Sequence, residues 1–319
     1  MSVTTQFDEP LTPPEQEHTQ PAVVPHEQEQ SQPAVLPRIV MPQGFGGGDA
    51  TSIASGSSNT AGLMADGRVV LAGSTVGMAD VAYWSDIVAV STASNITVGL
   101  RADGTVLAAG AAFGSRVEVA DWRDIVAVSA SSSHTVGLKL DGTVVAVGDY
   151  VLGQGQLNVT EWRNIIAVSA GAGHTLGLKS DGTVVSTWID VSDWYDIVAV
   201  SACSWHVVGL RSDGTVVAEG WFDRYNKLDV SDWHDIIAVS AGSRNTVGLR
   251  LDGTVVAVGS NDDGQLNVSD WDDIVAISAD SSHLTGFVLG LRADGTVVAT
   301  GNNERGQLNV SEWHNIKMP

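Results

Sequence analysis

The chain has one cysteine, Cys203, so no internal disulfide is available to it. It also lacks any apolar run of ~18 residues, because its Val, Ile and Ala stretches are broken every few residues by Ser, Thr, Asp or Gly; this excludes a membrane-spanning helix and reads as a soluble chain. Positive charge is scarce. Sixteen Lys and Arg stand against 37 Asp and Glu, for a formal charge of −21. A surface with that field repels phosphate backbones, so direct nucleic-acid binding is not expected. Met1 to Pro10 carries Asp8 and Glu9 where a secretory signal would be basic, and no apolar stretch follows. The expectation is therefore a cytoplasmic monomer without classical export and without membrane contact.

Proline is confined. Eight of the nine prolines lie between Pro10 and Pro42, mixed with Gln and Glu, and the last is Pro319. Residues 1–45 accordingly read as a disordered Pro/Gln/Glu-rich tail, with Gly46 to Gly48 as its joint to the rest. Residues 46–319 read as one folded region. Its freedom from proline down to Pro319 suits sheet ladders, which need every backbone N–H.

One pattern recurs seven times in that region, and Asp235 to Trp271 shows it plainly: DIIAVSAGSRNTVGLRLDGTVVAVGSNDDGQLNVSDW. The copies close on Trp84, Trp122, Trp162, Trp194, Trp233, Trp271 and Trp313, spaced 32 to 42 residues apart. A period in this range belongs to units that cannot bury a core alone. Each copy holds four short runs rich in Val, Ile and Thr, bounded by Gly, Asn, Asp or Ser, which predicts four strands. The second and third runs are joined by Asp-Gly in every copy, from Asp66-Gly67 to Asp294-Gly295, and a two-residue type I′ turn is the expected hairpin. The end copies keep the motif, so a closed ring is favoured over an open solenoid. The expected fold is all-β: a seven-bladed β-propeller of four-stranded antiparallel blades.

Two strings carry a family resemblance: SAGAGHTLGL, Ser169 to Leu178, and GSNDDGQLN, Gly259 to Asn267, echoed in Gly301 to Asn309. Together they resemble the repeat of the regulator of chromosome condensation family, with its Gly-x-x-His turn and Gly-x-Asn-x-x-Gly-Gln-Leu-Gly loop. Asn replaces the loop's final Gly, and the units are short, like bacterial repeats such as those of a propeller inhibitor of β-lactamases. The resemblance implies a propeller that presents a face to another protein. It also implies an alternative, nucleotide exchange on a small GTPase, which the short repeats make less apt. A third reading is a structural repeat module of a surface or scaffold assembly.

Chemistry finds little purchase. No Gly-x-Ser-x-Gly elbow or phosphate-binding Gly-x-x-x-x-Gly-Lys-Ser is present, and no catalytic residue, cofactor or metal is expected. The Gly-x-x-His slot holds Asn59, Ile96, His134, His174, His206, Asn245 and His283. An Ile in the set argues for side chains that pin a loop, not for metal ligands. Cys203, in SACSWH, reads as a small buried residue. The closing tryptophans read as wedges between blades.

The aromatics that break the repeat are more informative: Phe113, Tyr150, Trp188, Trp205, Trp221, Phe222 and Tyr225. All fall in connections that leave an up-and-down blade at one end, opposite the Asp-Gly turns. Trp188, Trp205, Trp221, Phe222 and Tyr225 concentrate in units four and five, where unit four has lost most of its last loop. Exposed Trp and Tyr beside a shortened loop mark a candidate surface for a protein partner. The opposite end gathers acid. In unit seven, extra residues within Leu284 to Val288 read as a bulge.

Overall fold

In the computed structural model each repeat folds into a three-stranded antiparallel meander, and seven such sheets follow one another along the chain. The structure describes residues 52–110, 117–149, 155–280 and 286–319. Phe113, Tyr150, His283 and, of the added stretch of unit seven, Leu284 and Thr285 lie outside them. The blades span residues 53–73, 87–110, 125–148, 165–186, 197–220, 236–259 and 274–301.

Blade six shows how sequence dictates the local fold. Its strands are Ile236–Ala241, Asn245–Arg250 and Val255–Gly259. The register pairs Ala238 with Leu249 and Leu249 with Val255, so apolar side chains from neighbouring strands share a buried face. The hairpin differs from expectation. Gly253 alone has positive φ, at 81°, while Gly253 N–H donates to the Arg250 carbonyl and Arg250 N–H to the Thr254 carbonyl. This is a three-residue loop, a type I turn closed by a glycine bulge, and not the two-residue type I′ turn. Aspartate suits it because Asp252 Oδ1 accepts from both the Thr254 amide, at 3.0 Å, and the Thr254 hydroxyl, at 2.6 Å.

The fourth run of each unit is not a strand. In Leu266-Asn267-Val268 the amides bond locally, Asn267 N–H to the Gly264 carbonyl and Val268 N–H to the Leu266 carbonyl, so none is left for a fourth ladder. Instead the run delivers a buried valine, Val268, and then the tryptophan, Trp271. Two residues beyond each tryptophan comes Asp or Asn at positive φ (Asp86, Asp124, Asn164, Asp196, Asp235, Asp273, Asn315), the residue types that tolerate that conformation and turn the chain into the next blade.

Each tryptophan lies against a glycine in the second strand of the following blade. Built Cβ atoms on Gly99, Gly137, Gly177, Gly209, Gly248, Gly290 and Gly62 would sit 2.7–2.9 Å from the rings of Trp84, Trp122, Trp162, Trp194, Trp233, Trp271 and Trp313 respectively. The last pair joins blade seven to blade one. A second set of links rings the axis: Ser91, Ser129, Ser169, Ser201, Ser240 and Ser278 each accept the amide of the next blade, at Ala130, Ala170, Ala202, Ala241, Ala279 and Ser55, over 2.8–3.0 Å.

Closure is completed by the end of the chain. The first strand of blade one, Ile53–Ser55, has three residues where its counterparts in the later blades have six or seven. Its missing start is supplied by residues 315–317: Ile316 bridges Met64, Ala65 N–H donates to the Asn315 carbonyl, and Lys317 N–H to the Leu63 carbonyl. Ile316 is buried with Ile53, Phe287 and Leu289. The described residues thus form a closed seven-bladed propeller.

Candidate protein-binding site

The connection between first and second strands and the segment after the third strand leave each blade at the same end. Blades four and five both depart from the repeat there. In blade four the third strand stops at Ser186, whose hydroxyl accepts the amides of Trp188 and Ile189 at 3.2 and 3.1 Å; this tight turn replaces the Gly-Gln-Leu-Asn loop.

That deletion has consequences one blade further on. Elsewhere the loop offers a carbonyl to a threonine of the next blade: Gln156 to Thr175, Lys227 to Thr246 and Gln307 to Thr60. The threonine in turn meets the slot histidine of the preceding blade, as in His134 Nε2 to Thr175 Oγ1 at 2.7 Å and His206 Nε2 to Thr246 Oγ1 at 3.0 Å. With no loop carbonyl in blade four, the corresponding residue of blade five is Val207, fully buried, and His174 keeps neither ring nitrogen bonded. The Trp188 ring settles beside it instead, with centroids 5.9 Å apart.

Around Trp188 the rings expected to cluster do so. Trp221 stacks on it at 5.0 Å and 26°, Trp205 meets it edge-on at 6.3 Å, and Phe222 meets Trp221 edge-on at 6.3 Å. Trp221 N–H donates to the Trp205 carbonyl at 2.9 Å, which ties the two connections of blade five together. Trp205, Trp221 and Phe222 remain 41%, 52% and 79% exposed. Phe222 also has φ of 55°, a left-handed conformation that costs a bulky residue about 1–2 kcal/mol.

Tyr225 takes a different place. Its ring lies 5.5 Å from the guanidinium of Arg224 and 5.5 Å from that of Arg244, which arrives from the first connection of blade six. Lys227, in the slot that holds Gln156, Gln265 and Gln307 elsewhere, is buried and donates to the Phe222 carbonyl at 3.4 Å. Burial lowers its pKa while the Asp223 carboxylate opposes that shift. The aromatic pattern breaks pointed to Tyr225 itself. They gave no sign of its arginine partners, because the repeat says nothing of which loops of adjacent blades meet.

The histidines and the cysteine are structural in their surroundings. Burial holds His134, His174 and His206 neutral, with pKa values lowered to about 3, 4 and 3, and pushes the Cys203 thiol up to about 12. A thiol so placed stays protonated and is a poor nucleophile. No group of three or more His, Cys, Asp or Glu is arranged for a metal ion among the described residues. At the opposite end the turn aspartates are occupied: the Asp103 carboxyl, for example, is held below its usual range by bonds from the Thr105 hydroxyl and amide. No helix among the described residues is long and apolar enough to cross a membrane.

A model described as the Regulator of chromosome condensation (RCC1) repeat matches residues 165–187 and 236–265, which cover blade four and blade six with its loop. No curated protein matches the chain in sequence. Among solved structures, the CRINKLY WD40 ectodomain of the Arabidopsis thaliana receptor kinase ACR4 is similar over 85% of this chain and 100% of that one, with 18% identity and a TM-score of 0.64. The ectodomain of the Physcomitrella patens receptor kinase CR4 is similar over 80% and 74%, with 19% identity and a TM-score of 0.62. Prp20p of Saccharomyces cerevisiae, described with its binding to Gsp1p and histones, is similar over 76% and 82%, with 16% identity and a TM-score of 0.55. At such identities the likeness bears on fold alone.

Proposed function

Because this chain is a protein of regulator of chromosome condensation (RCC1) repeats, we propose that it is a non-enzymatic, protein-binding β-propeller that presents the aromatic end of blades four and five to a partner. The observation that carries this reading is the four-ring cluster of Trp188, Trp205, Trp221 and Phe222, three of whose members stay exposed. Burying large rings drives folding, so rings left in water by a chain with an otherwise regular core mark a surface that is covered by something else. Trp and Tyr in a rigid setting are also the side chains that dominate binding energy at protein interfaces. Phe222 adds to the case, since its ring is 79% exposed although it meets Trp221 edge-on. Tyr150 and Phe113, which lie outside the described residues, are proposed as further contacts on the sequence pattern alone.

The test is affinity capture from the source organism's lysate and medium with wild type and the Trp205→Ala, Trp221→Ala double variant. Partners held by wild type should be lost by the variant, with binding weakened by more than ~2 kcal/mol and thermal unfolding unchanged. Equal recovery by both proteins would remove this surface from consideration.

A further inference from the structure

Each polar partner that the slot histidine has in blade three is exchanged for an apolar residue around His174. His134 Nδ1 lies 2.9 Å from Ser131 Oγ and 3.1 Å from Ser133 Oγ, and its Nε2 lies 2.7 Å from Thr175 Oγ1. The residues at the same places relative to His174 are Gly171, Gly173 and Val207. No side chain fits at Gly171, where a Cβ would collide with the imidazole and with the Cys203 carbonyl. His174 is fully buried, and neither Nδ1 nor Nε2 is bonded.

Packing alone does not call for histidine at this position. The slot accepts Ile96 in blade two, equally buried, and an aliphatic side chain in blade four would leave no polar atom bare. A buried polar group without a partner destabilises the state that buries it, and an arrangement that restores the bond recovers that free energy. Burial holds the imidazole neutral, with a pKa lowered to about 4, so the ring has one N–H to donate and one nitrogen to accept with. A neutral hydroxyl suits such a ring, whereas a charged group brought there would lose its hydration.

The neighbour of His174 on the side of the aromatic cluster is Trp188, whose ring lies 5.9 Å from the imidazole at 42° and also stacks on Trp221 at 5.0 Å. Trp188 is half-buried, and among the described residues its indole makes ring contacts and no hydrogen bond. It thus connects the buried imidazole to the exposed rings without being pinned by a polar group.

We infer that His174 is the polar recognition group of this surface: the partner reaches it with a tyrosine, whose ring takes the place of the Trp188 ring and whose hydroxyl gives His174 the kind of bond that Thr175 gives His134. This rests on the protein-binding reading of the aromatic surface and adds the side chain that the surface selects. Tyrosine combines a ring-sized apolar body with a neutral hydroxyl at its tip. Phenylalanine would fill the same place and leave the imidazole bare, and a site that bonds a hydroxyl rejects the analogue lacking it.

Selection of displayed random peptides on immobilised full-length protein supplies the probes, and fluorescence anisotropy of their labelled synthetic forms measures them. Enriched peptides are expected to share a tyrosine. Replacing that tyrosine by phenylalanine should weaken binding to wild type by about tenfold or more, and to His174→Ile by no more than about twofold. The Trp205→Ala, Trp221→Ala variant should bind all of these peptides more weakly. Circular dichroism and thermal unfolding verify that each variant is folded. Should His174→Ile fail to fold, Val207→Thr takes its role: it places a hydroxyl at the position of Thr175 and Thr246, and by satisfying His174 from within it should cut the preference for tyrosine over phenylalanine in the same way. Peptides that depend on Trp205 and Trp221 but carry no tyrosine would overturn the assignment of His174 and leave the aromatic reading intact. So would a tyrosine whose replacement costs the same on wild type and variant. Peptides indifferent to Trp205→Ala, Trp221→Ala would overturn the aromatic reading as well. Failure to enrich any peptide above an irrelevant protein counts against both.

Discussion

At the residue scale, the histidine slot shows how one position can carry both stability and a pH response. His134 and His206 are fully buried, each joined through Nε2 to a threonine of the next blade, and His174 is buried without such a partner. Their folded pKa values, about 3, 3 and 4, lie below the 6.5 of an unhindered imidazole, with burial the main cause. The unfolded chain therefore takes up protons first as pH falls. The stabilisation from keeping these rings neutral is complete above pH ~6.5 and is lost on the way down toward pH ~4 for His174 and pH ~3 for His134 and His206, by up to about 1.4 kcal/mol per pH unit and histidine. Melting temperature should be nearly level above neutrality and drop steeply on acidification. The turn aspartates add their own loss only below the ordinary carboxylate range, since their pKa values are lowered. Replacing His134 and His206 by Asn, which the ring already uses at Asn59 and Asn245, should flatten the acid slope when melts at about pH 7.5 and about pH 4.5 are compared. An unchanged slope would assign the acid response to other groups.

At the scale of elements, the decisive contact is a tryptophan of one blade on a glycine of the next. Gly248 has no space for a side chain, because a Cβ there would lie 2.7 Å from the Trp233 ring. Gly248→Ala should thus push the blades apart and destabilise by about 1–3 kcal/mol, as overpacking of a close-packed interface does. Urea unfolding would check it, and Gly253→Ala would be a useful contrast, since its cost comes from a φ of 81° and not from a neighbour. The wedge role of the tryptophans and the meander of each unit were legible in the sequence, through the fixed spacing of Trp and the Asp-Gly pairs. The fourth strand was misread for a physical reason. Val and Leu in Gln265-Leu266-Asn267-Val268 are apolar because two of their side chains must be covered, and only the path of the backbone bonds tells a covered turn from a ladder. The hairpin type was misread similarly, as Asp-Gly serves a two-residue and a three-residue loop alike.

At the scale of the whole molecule, the last residues act as a latch. Ile316 is buried and residues 315–317 complete the short first sheet, so removal of residues 314–319 should expose the junction of blades seven and one. Ile316→Ala is expected to cost about 2–5 kcal/mol by loss of buried methyl groups, and the truncation more. Thermal unfolding with hydrogen exchange at Ala65, whose amide donates to the Asn315 carbonyl, would read the opening directly; unchanged protection would mean that the serine belt and the Trp313–Gly62 contact close the ring unaided. Sequence by itself determined the number of blades, the all-β class, the wedge and turn residues, and which aromatics stood out, because each of these is a local periodic signal repeated seven times. Only the tertiary structure decided that the final residues of the chain belong to the first blade. It also decided that the loop deleted from blade four leaves His174 beside Trp188 with neither ring nitrogen bonded, and that Arg244 of blade six meets Tyr225 of blade five. Those are contacts between units, and a repeat specifies its own strands while the ring alone determines which loops become neighbours.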